Sequence, residues 1–347
     1  MTSKERVMTA FEHQAPDRVP AWCGASVEFW ARAKRELQLD DERLRIRFGD
    51  DFRRVFAAYA GPEFPLSEGA TYRTIFGIER EGMGYGQPLS HPLENATLKE
   101  VHDYPWPDPA WMDVSKIKSE AEAYNGEYAI LGGDWSPFWH DAIDLLGMEN
   151  MYFKMYDDPE LIDAVFQHMV DFYAASSQRV FDAAADAIDI MFIGNDLGSQ
   201  TGPLLGVDLF KRFILPHIKR LVDLGHGYGL KVMMHCCGGF APLIPSLIDI
   251  GLDGLHAIQP CCHGMELRTL KTEFGDKILF NGAIDSQHVL IDGTPETVRE
   301  QTREVLEIMM PGGGYVAGAS HDTILEETDV ENVVAMFDAI REFGVYK

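Results

Sequence analysis

Leu230-Lys231-Val232-Met233-Met234 runs directly into His235-Cys236-Cys237-Gly238. A short, largely apolar run bounded by glycine and turn residues reads as a buried strand of a parallel sheet. The residues able to do chemistry then stand where that strand ends. His235 and Cys237 are two apart, so in extended backbone they point the same way. An imidazole and a thiolate aimed into one space make half of a zinc site. Each also has a plainer reading, as a hydrogen-bonded core histidine and a small buried cysteine.

The same pattern repeats on either side. Apolar runs at Tyr128–Leu131, Ile188–Ile193, Gly254–Ile258, Ile278–Phe280 and Tyr315–Ala317 predict strands. Between and after them, periodicity predicts helices over Pro159–Ala185, Asp208–Tyr228, Ala241–Ile250, Gly264–Glu273, Thr294–Met310 and Val330–Phe343. Strand and helix alternate without antiparallel turn signals, which predicts βα repeats and a parallel sheet. With two or three earlier strands, Ala21-Trp22-Cys23 among them, the count closes a (β/α)8 TIM barrel. A doubly wound open sheet is the rival, weakened because no Gly-x-Gly-x-x-Gly follows an early strand. Thr2 and Glu5 form a capping-box pattern for a first helix that Pro16 ends. Residues from about Glu28 to Pro109 are less periodic and predict an elaborated N-terminal region of short helices and a hairpin. Nothing resembles a linker or a repeat, so residues 1–347 are read as one domain.

Each predicted strand is followed by polar residues. They are Asp134, Asn195 with Asp196, His235 with Cys237, Gln259 with Cys261, Asp285 with Gln287, and His321. In a closed parallel barrel these ends converge on one mouth, where active sites form. Asp134 is equally readable as a helix cap. Asp196 leads into Gly198-Ser199-Gln200-Thr201-Gly202-Pro203, a loop too polar and glycine-rich to serve only as a cap. Trp135, Phe138 and Trp139 read as core or as the wall of an apolar pocket. Cys261, Cys262 and His263 follow Pro260 and belong to a loop, as spare ligands or a gate.

Composition narrows the function. The chain has 55 acidic and 30 basic residues, for a net charge of −25. Such a surface repels phosphate backbones and argues against nucleic acid. No apolar run approaches the roughly 20 residues that span a bilayer. Met1-Thr2-Ser3-Lys4-Glu5-Arg6 lacks an apolar signal core, so a cytoplasmic protein is expected. Five cysteines, four of them in two adjacent pairs, suit metal binding or reactivity better than a disulfide framework.

Four stretches carry a family resemblance. They are Glu5-Arg6-Val7 through Pro16-Asp17-Arg18-Val19-Pro20, the His-x-Cys-Gly at 235–238, Gly282-Ala283-Ile284-Asp285, and Thr328-Asp329-Val330-Glu331-Asn332. Over nearly its full length the chain resembles the uroporphyrinogen decarboxylase superfamily. That resemblance implies a (β/α)8 barrel. True decarboxylases share a Met-Arg-Gln-Ala-Gly segment after the first strand, whereas this chain reads Trp22-Cys23-Gly24-Ala25-Ser26-Val27-Glu28, without arginine. The other branch comprises cobalamin-dependent methyltransferases, in which zinc is held by His-x-Cys and a third ligand after the last strand.

By that resemblance His235 and Cys237 are metal ligands, with His321 the expected third and Cys261 its alternative. Asp196 and Asn195 are the catalytic candidates, and Trp135, Trp139, Gln200, Gln259 and Asp285 the substrate contacts. The implied activity moves a methyl group from a methoxylated substrate to cob(I)alamin carried by a partner corrinoid protein, with bound Zn2+ as Lewis acid. The Gly194–Gln200 loop looks like that of demethylating members. Methylcobalamin:thiol transfer, a metal-free decarboxylase-like lyase and a non-catalytic binding barrel are the rivals.

Overall fold

The computed structural model describes residues 1–82, 86–124 and 126–347. Seven strands form one sheet, labelled here β1 (Phe52–Arg54), β2 (Ala129–Gly132), β3 (Ile190–Gly194), β4 (Lys231–His235), β5 (Gly254–Ile258), β6 (Leu279–Ile284) and β7 (Tyr315–Ala319). They lie side by side in chain order, and every pairing is parallel. Helices separate the later strands, as in any parallel sheet whose crossovers must return the chain to the same end. Both faces are thereby covered, which is why β2 to β7 read as nearly unbroken apolar runs.

The sheet curls. Ala21 makes parallel bridges to Asp50, next to β1, and to Ala317 in β7. The Trp22 amide donates to the Ala317 carbonyl (2.9 Å), and the Ala317 amide donates to that of Pro20 (2.8 Å). The two sheet edges thus meet across Ala21, an arrangement consistent with a TIM-like barrel. Trp22, Phe52, Leu131, Phe192, Met233 and Val316 pack together inside the curl.

Asp51 fixes this junction. It is fully buried and accepts from Arg6 Nη1 (2.7 Å), from both Arg18 guanidinium nitrogens (2.9 Å each) and from the Ala21 amide (2.8 Å). Arg6 comes from the helix Ser3–Phe11, which has the predicted Thr2–Glu5 capping box. That helix ends at Phe11, before Pro16, with His13 at a positive φ of 53°.

The helix Val330–Phe343 and strand Gly254–Ile258 stand where the sequence predicts them. Two early elements differ. The predicted strand Ala21–Cys23 is reduced to the bridges at Ala21, because its edges are held by isolated contacts rather than a ladder. β1 was hidden because Arg53 and Arg54 interrupt its apolar signal. Arg53 is buried against Glu42, and the Arg54 guanidinium lies 4.4 Å from the Trp22 ring. Within 27–109 lie the helices Val27–Leu37 and Asp41–Phe48 and a small antiparallel sheet of Tyr72–Arg73, Glu79–Glu81 and Gln87–Pro88. No helix among the described residues is long and apolar enough to cross a membrane.

One half-buried imidazole makes stability depend on pH. His217 packs against Phe138 (5.9 Å between ring centres) and Phe166 (5.7 Å), and burial pushes its pKa down to about 4. The unfolded chain takes up this proton near pH 6.5, but the folded chain does so only near 4. Stability from His217 is therefore complete above about pH 6.5 and is lost as pH falls toward 4. Between pH 7.5 and 5 this one group should contribute a loss of about 1–2 kcal/mol. Urea titrations at the two pH values should show His217→Gln losing that much less than wild type; equal losses would refute the assignment.

Candidate active site

β3 and β4 end side by side, with His235 paired to Gly194. Their following loops touch backbone to backbone. Gly238 has φ of +87°, and a Cβ there would lie 2.4 Å from the Gly198 carbonyl carbon. Glycine at both positions lets the loops close and brings Asp196 over Cys237. The Cys237 amide donates to Asp196 Oδ1 (2.8 Å). His235 Nε2 lies 3.1 Å from that same oxygen and 3.1 Å from Cys237 Sγ. His140 Nε2 stands 3.4 Å from the second oxygen, Oδ2.

Ligand atoms of Asp196, His235 and Cys237 all fall within 4.8 Å of one another and could hold a metal ion. His321 lies close enough for the Cys237 thiol to favour its charged form, while its Nδ1 donates to the Thr323 carbonyl (2.9 Å).

These groups polarise each other. Burial opposes ionisation of Asp196, but hydrogen bonds from His140 and His235 hold its carboxyl well below the usual range. Burial likewise opposes charge on His235, yet the Cys237 thiolate and Asp196 raise its pKa strongly. The Cys237 thiol is lowered despite burial, by the charge of His235 and by hydrogen bonds from His235 and His321. His321 is pushed up to about 9, first by its bond to Cys237. A thiolate beside a carboxylate and imidazoles is the ligand form that divalent metals take.

His140, Asp196, His235 and His321 line a cavity of about 760 Å³, together with Tyr72, Pro88, Trp135, Pro137 and Ile143. Trp135 lies over β3, where a side chain at Gly194 would collide with its ring at 2.1 Å, and sits 5.5 Å from the His235 ring. Arg80 and Asp144, in close ion contact, with Asp141, line the cavity too. Asp141 is pushed up to about 6 by burial, against a hydrogen bond from Tyr173.

The other sequence candidates fall elsewhere. Asn195 is fully buried: its Oδ1 accepts from the Trp139 amide (2.9 Å) and its Nδ2 donates to the Ser136 carbonyl (3.1 Å). Trp139 is itself 0% exposed, in the core behind the cavity. Gln259 Oε1 accepts from the Gly238 amide (3.1 Å) and so holds the cysteine loop. Gln200 is exposed, with its carbonyl on the His263 amide (3.0 Å). Asp285 accepts from the Gln287 and His288 amides (2.8 and 3.1 Å), capping the turn that follows β6. Asp134 caps no helix; it accepts from Ser176 Oγ (2.8 Å) and the Ser136 amide (3.3 Å). Cys261 is exposed, 4.0 Å from Gln287 Oε1, and lies outside the donor group. His140 and His256, not singled out from sequence, belong to the site. His256 is the one imidazole inside a predicted apolar strand, a signal that could have marked it.

A model of the uroporphyrinogen decarboxylase (URO-D) family matches residues 91–343. The chain belongs to that family. Among the similar URO-D relatives is "Methylcobamide:CoM methyltransferase MtbA" of Methanosarcina acetivorans, 23% identical over 91% of this chain and 93% of its own length. Another is "Methylated-thiol--coenzyme M methyltransferase" of Methanosarcina mazei, 24% identical over 82% of this chain and 77% of its own. A third is the uroporphyrinogen decarboxylase of Alkalilimnicola ehrlichii, 22% identical over 98% and 94%. Among solved structures, a methyltransferase from Methanosarcina mazei superposes with a TM-score of 0.71 at 18% identity, covering 99% of both chains. It shares the fold of this URO-D chain.

Proposed function

We propose that this single-domain URO-D protein is a cytoplasmic, zinc-dependent methyltransferase of a corrinoid system. In this reading it moves a methyl group from a methoxylated substrate to cob(I)alamin on a partner protein. The observation that carries the reading is the meeting of His235 Nε2, Cys237 Sγ and Asp196 Oδ1, with His235 and Asp196 lining the large cavity.

The donor set fits zinc. A nitrogen and a sulfur on tetrahedral zinc stand about 3.5 Å apart, given Zn–N near 2.0–2.1 Å and Zn–S near 2.3 Å. The 3.1 Å between His235 Nε2 and Cys237 Sγ needs to open by only a few tenths of an ångström. Asp196 is favoured as third ligand over His321, because its oxygen already lies within reach of both others. Three protein donors leave a position open, as catalytic zinc sites do. Bound there, the metal supplies a Lewis acid for the ether oxygen.

The chain's own residues do the rest. Trp135, Pro137 and Ile143 give an apolar wall that holds the substrate and excludes water. His140 orients Asp196 through its second oxygen. His321 keeps a proton next to Cys237, within the same cavity lining. The absence of arginine from Trp22–Glu28 weighs against decarboxylation of a polyacid. The chain's net charge of −25 weighs the same way.

Thiol methylation is the second reading, favoured by the names of the Methanosarcina relatives. One assay separates them. Purified protein with cob(I)alamin and a panel of methyl ethers should produce methylcobalamin and the demethylated alcohol or phenol. Consumption of methylcobalamin by added thiols, with no reaction of any ether, would replace the first reading with the second.

A further inference from the structure

His256 stands behind His235, on β5. The inference about it rests on the reading that His235 ligates a metal through Nε2. Nδ1 of His235 and Nδ1 of His256 lie 3.1 Å apart, and both residues are buried. At that distance a single proton lies between the two nitrogens. If His235 holds it, His235 Nε2 is a lone pair aimed at Cys237 and Asp196, and His256 keeps its own proton on Nε2. If His256 holds it, neutral His235 carries its proton on Nε2 and presents an N–H where a ligand is needed. The location of one proton on His256 thus decides whether His235 can bind metal.

We infer that His256 is a positioning residue, accepting the His235 Nδ1–H on its own Nδ1 and so presenting His235 Nε2 to the metal. Its ring is held in place by Trp22 (4.5 Å between ring centres), Phe192 (5.4 Å) and His235 (5.1 Å). His256 Nε2 is buried without a hydrogen-bond partner. So is Asn281 Oδ1, which can only accept. Asn281 lies on the neighbouring strand, directly after Phe280, the partner of Leu255. It shares the inner face of β6 with Leu279. An N–H at His256 Nε2 suits that acceptor, directly or through one internal water, whereas a lone pair there would oppose it. Metal-binding histidines are commonly oriented in this way through their second nitrogen.

His235, His256 and Asp322 also meet the distance condition for an ion of their own, so the test must count ions. Zinc stoichiometry and affinity, by chelator competition, are measured for wild type, His256→Phe, His256→Asn and His235→Ala, with the melting temperature of each metal-free form. His256→Phe should still bind one zinc, about 10–100-fold more weakly. Its metal-free melting temperature records the change in the fold itself, where loss of the unpartnered His256 Nε2 offsets loss of the acceptor for the buried His235 Nδ1–H. In His256→Asn the side-chain oxygen stands where Nδ1 stood and should restore affinity to within about threefold of wild type. Wild-type affinity in His256→Phe, or no recovery in His256→Asn, overturns the inference. Loss of a second zinc equivalent in His256→Phe overturns it too, by making His256 a ligand. Wild-type zinc binding in His235→Ala, or none in the wild-type protein, overturns the metal reading instead.

Discussion

His235→Ala and Cys237→Ser should each purify without stoichiometric zinc and lose methyl transfer almost entirely. Each removes a donor that the metal contacts directly. The fall in affinity should therefore exceed the roughly 10–100-fold seen when only an outer supporting group is lost. Lewis-acid stabilisation of a leaving oxygen is worth several kcal/mol, so activity should drop by about 10³-fold or more. Cys237→Ser is the sharper variant. It keeps size and polarity but replaces a thiol that His235 and His321 already favour as thiolate. Metal analysis of the purified variants checks the first half, and cob(I)alamin methylation under saturating zinc checks the second. Full zinc occupancy in both variants would remove the site.

The largest effect on stability is expected at Asp51→Ala. Asp51 is 0% exposed and faces two guanidiniums and one backbone amide. Its removal leaves Arg6 with Asp17 and the Met1 carbonyl, and leaves Arg18 and the Ala21 amide without their carboxylate partner. Breaking a buried ion pair from one side typically costs about 3–5 kcal/mol. That is a large part of the roughly 5–15 kcal/mol that holds an ordinary domain folded. Asp17→Asn serves as the contrast. Its side chain is 43% exposed, and such a pair is worth about 1 kcal/mol or less. Urea midpoints and melting temperatures of the two variants measure the difference; a loss below about 1 kcal/mol for Asp51→Ala would contradict the account.

The repeating half of the chain was legible because its strands are buried on both faces and its helices are not. Gly254–Ile258 and Val330–Phe343 fall where their patterns place them. β1 was not legible, since two of its three residues are arginines, whose charges are met by Glu42 for Arg53 and by Asp322 and the Trp22 ring for Arg54. Spacing alone pointed to His235 and Cys237 as neighbours, and they are. For the third ligand it offered His321, with Cys261 as the alternative, and not Asp196, whose approach depends on how the loops after β3 and β4 fold back. Asn195, Gln259 and Asp285 share the strand-end address of the site, but their side chains are engaged with backbone amides. Position along a strand tells which end a residue occupies; it does not tell what its polar atoms are already bonded to.

The bridges at Ala21 have a consequence for how the chain is made. Ala21 is synthesised well before one of its two neighbours, Ala317. The Val19 amide likewise donates to the Gly344 carbonyl (2.7 Å). During synthesis the growing sheet therefore carries an open edge after every strand, and no intermediate length can satisfy both margins. Contacts of such sequence separation slow folding. Unpaired strand edges also invite pairing with other chains. A nascent chain halted before β7 should be the most aggregation-prone form of this protein, and a circular permutant beginning ahead of β7 would bring the two margins together early.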